Sequence, residues 1–367
     1  MNTKPVFHGS DIEKICEYYH LNREDIVNFG ANVNPLGISE NIKPVLASHL
    51  DILSSYPDRD YQSLRNTIAE YCHVPADFIL PGNGSSELIA LLIETRAPKR
   101  TLLLGPTYAE YSRELSLSNS KCDEFLLREI NKFTVNVHAL CQTLLDGNYD
   151  FLIMCNPNNP TSTAILHEDM EQILTFCEQH DIFVMIDETY VEFAPVIEDV
   201  TAVPFTKTFK NLMVLRGVSK FFAAPGLRLG YGITGSLPFL KTMKEKQIPW
   251  SLNSLGAFAG ELMLKDKNYV SQTRQLILSE REKMYSALKS MSAYKTYRPY
   301  ANFLLIQLNQ KEMTASDVFE HCVKNGLMIR DCSSFKSLNG EFVRFCIMNR
   351  EDNERLLNEL RFLCCQK

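Results

Sequence analysis

Short apolar runs recur through the first two thirds of the chain: TLLLG at 101–105, YDFLIMCN at 149–156, DIFVMIDE at 181–188, NLMVLRG at 211–217 and RLGYGIT at 228–234. Runs of this length, bounded by turn-forming residues, predict buried strands. Between them the period changes. In HEDMEQILTFCEQH, 167–180, the apolar positions Met170, Ile173, Leu174 and Cys177 are three and four apart, the stripe of a helix packed on a sheet. This alternation predicts a mostly parallel sheet covered on both faces, with ligands beyond the carboxyl ends of its strands. After KEKQIPWSLN, 244–253, a charged helical stretch over 256–291 leads to ANFLLIQL and EFVRFCIM, which read as strands of an open, half-exposed sheet in a second, smaller domain. Proline, glycine and asparagine cluster at 35–37, 81–84 and 156–160, so those loops are where chemistry is expected.

Length agrees with this division, since 367 residues suit two domains sharing an interface. Hydrophobic residues make up 45% and charged residues 22%, an ordinary globular balance. The net charge of -6, without a run of five like charges, argues against a nucleic-acid partner and for small-molecule ones. Eleven cysteines, an odd number without zinc-type spacing, read as reduced thiols, and no metal is expected. The polar first twenty residues and the lack of a long apolar run predict a cytoplasmic protein with no membrane association.

Candidate chemistry begins at GVSKFFAAPGLRLGY, 217–231, where Lys220 sits among apolar neighbours. Lysines commonly lay their stems along apolar surface and keep the amine in water. The sharper reading is a desolvated amine of lowered pKa, free to form a Schiff base with an aldehyde, for which the cofactor is pyridoxal 5'-phosphate. That cofactor makes further demands. Its phosphate needs backbone N–H donors at a helix start and a cation. PGNGSSELIALLIE supplies Gly84, Ser85 and Ser86, with Ser219 and Arg228 to complete the grip. Its ring nitrogen needs a carboxylate, and Asp187 ends a buried run where a cationic partner is expected. Tyr190 and Asn159 are placed to reach the ring hydroxyl, and Tyr108 to stack on the ring face. Each feature alone also reads as a cap, a turn or core filling; the argument lies in their joint order.

In that order the chain resembles the fold-type-I pyridoxal-phosphate enzymes of the class I/II aminotransferase superfamily, from NVNPLG at 32–37 to VRFCIM at 343–348. The resemblance implies an α/β fold: a large domain with a mostly parallel seven-stranded sheet and a small α+β C-terminal domain. The expected boundaries are 1–45 for an N-terminal arm and part of the small domain, 46–249 for the large cofactor-binding domain and 250–367 for the small domain. It also implies that Lys220 is the Schiff-base lysine, Asp187 the ring-nitrogen partner and Tyr108 the stacking residue. Tyr56 of YPD would reach the cofactor phosphate of a second subunit, implying a homodimer with shared sites, and Arg344 would pair with the substrate carboxylate. Two positions depart from the family pattern: Asn-Pro-Thr-Gly reads Asn-Pro-Thr-Ser at 159–162, and a residue often hydroxyl-bearing is Gly217.

HGSD at 8–11, FGANVNPLG at 29–37, PTYAEY at 106–111 and PWSLN at 249–253 are similar to the threonine-phosphate decarboxylase branch of the cobalamin pathway. Histidinol-phosphate aminotransferases share the scaffold. Both branches act on phosphorylated amino compounds. By resemblance Arg330 holds the substrate phosphate, with His8, Asn32 and Gly37 completing the substrate site beside Arg344. Decarboxylation and transamination differ in which bond at the α-carbon stands perpendicular to the ring, so the sequence leaves both open. A non-catalytic pyridoxal-phosphate-binding module is the alternative of another class, although regulators of that kind carry a basic DNA-binding domain for which this chain has no spare length.

Overall fold

The computed structural model describes residues 7, 9, 11–309, 313–335 and 337–365. The five predicted strands form where the apolar runs lie, and two more join them. In chain order the strands are β1 (Ile79–Asn83), β2 (Arg100–Gly105), β3 (Lys121–Leu126), β4 (Phe151–Cys155), β5 (Phe183–Asp187), β6 (Leu212–Gly217) and β7 (Leu229–Ile233). They make one sheet in the order β1-β7-β6-β5-β4-β2-β3, with β7 antiparallel to both neighbours and every other pairing parallel. Helices cover it, among them Gly84–Arg96 against β1 and β7 and His167–Gln179 against β5. Every residue of β4, β5, β6 and β7 is buried, as near-continuous apolar runs require.

The two strands without an apolar signature are the edges. β3 is largely exposed and reads KCDEFL, while β1 carries Pro81, which an edge strand tolerates because it lacks a neighbour on one side. The expected loop at 81–84 is therefore the end of β1 running directly into the helix Gly84–Arg96.

A second sheet is antiparallel, in the order β10-β11-β9-β8, from β8 (Tyr294–Thr296), β9 (Phe303–Leu308), β10 (Arg330–Asp331) and β11 (Phe342–Cys346). The half-exposed sheet expected here is not what forms. All of β11 and all of β9 except Gln307 are buried. The helices Lys267–Lys289 and Ala315–Lys324 pack on this sheet, and Arg350–Cys365 packs against both of them. On the large-sheet side Phe303 meets the Tyr190 ring edge-on at 5.0 Å, and Cys346 N donates to Phe29 O at 2.9 Å. The charged stretch expected over 256–291 forms two helices, Ser254–Lys265 and Lys267–Lys289, with Asp266 between them accepting from Tyr269 N at 3.0 Å. All eleven cysteines are free thiols. Among the described residues no helix is long and apolar enough to cross a membrane.

Candidate active site

The carboxyl ends of β4, β5 and β6 open onto a cleft of about 280 Å³, bordered by Gly30–Asn32 and, from the second sheet, by Arg344. Lys220 lies three residues past β6, part-buried, and its Nζ donates to Ala31 O at 2.6 Å. Burial lowers its pKa to about 8, and the nearby charges of Arg344 and Arg228 push the same way. The amine expected from sequence is thus present, held by a backbone carbonyl rather than by a carboxylate.

Asp187 ends β5 with its side chain in the cleft. Three donors within the protein hold it. Tyr111 Oη donates to Oδ2 at 2.7 Å, and Thr189 donates to Oδ1 through its backbone N at 2.9 Å and its hydroxyl at 2.5 Å. These donors are all neutral, and the salt bridge lies one residue on. Alternation along a strand sends successive side chains to opposite faces, and Glu188 meets Arg216 at 2.8 Å on the other side. Tyr111 and Thr189, with Cys155, also line the cleft, and the sequence reading assigned none of them a role. The available signal was the spacing of Tyr108 and Tyr111, three apart at a helix start and hence on one face.

At the other end of the cleft the helix Gly84–Arg96 presents its first turn, with Ser85 and Ser86 in the lining. Asn83, at its N-cap, makes no side-chain capping bond, so the first-turn N–H groups keep their capacity for an anion. Close approach is what the glycines supply. Gly84 has φ +80°, and a Cβ there would fall 2.5 Å from an Arg228 guanidinium nitrogen. A Cβ on Gly230 would stand 2.3 Å from Ser85 N. Gly82, Gly230 and Gly217 are in register across β1, β7 and β6, leaving a bare strip on which the helix start rests. Arg228 and Ser219 face the same corner.

Toward the second sheet, Arg344 donates through Nη1 to Asn159 Oδ1 and through Nη2 to Gly30 O at 2.7 Å, while its buried Nε has no partner among the described residues. Arg330 stands directly opposite it across the antiparallel pair of β10 and β11, buried, donating to Phe7 O and to Ser334 Oγ at 2.8 Å. Burial lowers the Arg330 pKa, and the charge of Arg344 adds to that effect. Asn32 donates to Tyr190 Oη at 3.4 Å, and its own Oδ1 is buried without a partner among the described residues.

Of the sequence-predicted residues, Asn32, Ser85, Ser86, Tyr108, Asn159, Asp187, Tyr190, Ser219, Lys220, Arg228 and Arg344 converge on this one cleft. Gly84 and Arg330 adjoin it. Gly37 does not line it, and its carbonyl instead accepts from Tyr269 Oη at 2.6 Å. Tyr56 is 81% exposed, with its ring 5.0 Å from Trp250 and outside the cleft of its own chain. His8 lies outside the described residues. Ser162, one departure from the family pattern, is buried with φ +61° and accepts from Ala301 N at 3.0 Å, so it ties the Asn159 loop to the second sheet and does not line the cleft. Gly217 does line it; a Cβ there would be 3.0 Å from Leu229 O.

Comparison with known proteins agrees with this geometry. The profile for aminotransferases of class I and II matches residues 24–360. The chain is 32% identical over 354 residues to threonine-phosphate decarboxylase of Salmonella typhimurium, covering 96% of this chain and 95% of that one. It is 29% identical over 360 residues to histidinol-phosphate aminotransferase of Methanothermobacter thermautotrophicus, covering 97% and 94% respectively. The crystal structure of histidinol-phosphate aminotransferase from Clostridium acetobutylicum superposes with a TM-score of 0.85 at 30% identity, over 92% of this chain and 98% of that one. On the family match and on likeness along nearly its whole length, the chain belongs to the class I and II aminotransferase family, enzymes whose members bind pyridoxal 5'-phosphate.

Proposed function

We propose that this protein is a threonine-phosphate decarboxylase-like enzyme that uses pyridoxal 5'-phosphate to convert O-phosphothreonine into aminopropanol phosphate and carbon dioxide. The residues present fit that cofactor. The uncapped helix start at Gly84, Ser85 and Ser86, with Ser219 and Arg228, would hold the phosphate. Asp187, which lines the cleft and is held by the neutral donors Tyr111 and Thr189, would pair with the ring nitrogen. Asn159 and Tyr190 would serve the ring oxygen, and Tyr108 its face. When bound, the group supplies an aldehyde for a lysine amine and a cationic ring that takes up the electron pair left by a bond breaking at the substrate's α-carbon.

The chain's own residues do the rest. Lys220 offers an uncharged nitrogen and moves a proton at the α-carbon. The single observation that carries the substrate reading is the register of Arg330 opposite Arg344, with an unpartnered buried Nε on the latter. Like charges directly opposite each other in a sheet oppose folding, so a site that keeps them is built for anions. Two guanidinium groups suit a substrate bearing both a carboxylate and a phosphate, and holding both ends is what orients the bond to be broken. Tyr56, with Leu53 and Ile248 also exposed, supports a homodimer in which Tyr56 serves the partner's cofactor phosphate. We place the large domain at 46–249 and the small one at 250–367, with an arm at 1–45, and the enzyme in the cytoplasm.

A second reading, histidinol-phosphate aminotransferase, is supported by the likeness in structure to the Clostridium acetobutylicum protein. Both arginines would then share a single phosphate. Incubation with O-phosphothreonine separates the two: carbon dioxide release supports the decarboxylase, whereas amino transfer to 2-oxoglutarate without gas replaces it with the second reading. In the same assay Arg330→Ala is expected to raise KM about ten- to a hundredfold with cofactor colour intact, the loss of one charge-assisted contact. Loss of colour instead would move Arg330 to the cofactor.

A further inference from the structure

Asp187 is a buried carboxylate that would face a cationic ring, yet its own protein partners are neutral. Its two oxygens are treated differently. Oδ1 accepts twice from Thr189, a residue two positions away that follows the chain wherever Asp187 goes. Oδ2 accepts from Tyr111, which belongs to a different element, the helix Ala109–Leu117, and is fully buried beneath the cleft. Only the second bond ties the carboxylate to a fixed point outside its own loop.

Tyr111 touches a second cleft residue as well. Its ring meets that of Tyr108 edge-on, with centroids 5.6 Å apart and planes at 86°. Tyr108 precedes the helix with extended backbone and Tyr111 lies one turn in, so one buried ring braces Tyr108 while its hydroxyl braces Asp187. Cys155, at the end of the neighbouring strand β4, lies in register with Asp187 and against the same hydroxyl. Burial raises the Tyr111 pKa well above its ordinary value, with the Asp187 charge adding to that, so the hydroxyl remains a donor at every working pH.

We propose that Tyr111 is a positioning residue which, through its hydroxyl bond to Asp187, aims that carboxylate and keeps its charge available to the cofactor's ring nitrogen. This rests on the cofactor reading above. A carboxylate deprived of a hydrogen-bond donor in a buried site becomes more basic. Without Tyr111's hydroxyl the carboxylate would lose its bond to the helix Ala109–Leu117 and with it the aim that would hold the charge on the ring, the charge that would make the ring an electron acceptor. The same ring charge depresses the pH at which the lysine-bound cofactor changes colour, so its loss moves that pH upward.

The test uses Tyr111→Phe holoenzyme, which loses one oxygen and no ring contact. Its visible band is expected to titrate at higher pH than the wild type, with kcat for O-phosphothreonine about ten- to a hundredfold lower and KM changed by less than about twofold. Thr189→Ala, which keeps the backbone donor, is expected to shift the band in the same direction by less, and it stands in should Tyr111→Phe fold poorly. A band that titrates at the wild-type pH in either variant overturns the proposal, whatever happens to activity. So does a loss confined to KM or to thermal stability. A wild-type protein that stays colourless with the cofactor removes the cofactor reading and this inference together; a coloured wild type with unmoved variants removes this inference alone.

Discussion

Lys220→Ala is expected to abolish the visible absorption that the protein develops with pyridoxal 5'-phosphate and to lower turnover about a thousandfold or more, because the variant loses the nitrogen that bonds the aldehyde and the group that moves the substrate proton. Part-burial against the 30–32 segment, with Arg228 and Arg344 nearby, sets the pH range of that chemistry. With a pKa of about 8, roughly half of the amine is uncharged at pH 8, against well under about 1% for an ordinary lysine. The sign follows from burial. A cation moved out of water gives up its proton more readily, so the reactive form grows as pH rises through 8 and is scarce below 7. Colour development by the apoprotein is therefore expected to climb between about pH 7 and 9, with its midpoint near pH 8, and to level off above about pH 9. A midpoint near pH 10 would place the amine in water, and retained colour in Lys220→Ala would assign the covalent bond to another lysine.

How much of this was legible in the sequence depends on whether the signal was local. Buried strands announce themselves, because β4, β5, β6 and β7 are apolar on both faces; edge strands do not, so β1 and β3 were missed. The residues that converge on the cleft sit at strand ends and helix starts, the positions where loop composition changes, and those were found. What the sequence hides is pairing. It predicted a buried carboxylate at 187, but not that Tyr111 and Thr189 would hold it with neutral donors. Nor does it show that Arg330 and Arg344, fourteen residues apart, meet across two strands. Half-exposure was misjudged for β9 and β11 because alternation reports one covered face, whereas Tyr190 and the backbone at Phe29 also meet these strands.

The largest effect on stability is expected at a pair the sequence did not reveal. Arg216 and Glu188 are both buried, linked through Arg216 Nε at 2.9 Å and Nη2 at 2.8 Å, with Thr201 Oγ1 donating to Glu188 and accepting from Arg216. A second buried carboxylate depends on the same cation. Neither oxygen of Glu192 has a hydrogen-bond partner among the described residues; burial raises its pKa to about 7, and the charge of Arg216 pulls against that rise. Arg216→Met keeps the volume and removes the charge, leaving one carboxylate with no cation and the other more deeply destabilised. Breaking a buried pair from one side costs about 3–5 kcal/mol, enough to lower the denaturant midpoint sharply. Because the folded-state pKa of Glu192 is raised, stability is lost as pH rises from the unfolded value near 4.5 through the folded one. Without Arg216 that folded value climbs further, so the variant's deficit is expected to be larger at pH 8 than at pH 5.5. Adding Glu188→Gln to Arg216→Met is expected to restore most of the lost stability, since a neutral amide needs no counter-charge. An Arg216→Met protein that unfolds within about 1 kcal/mol of the wild type, with no pH dependence of the difference, would show that water or a rearranged donor replaces the guanidinium.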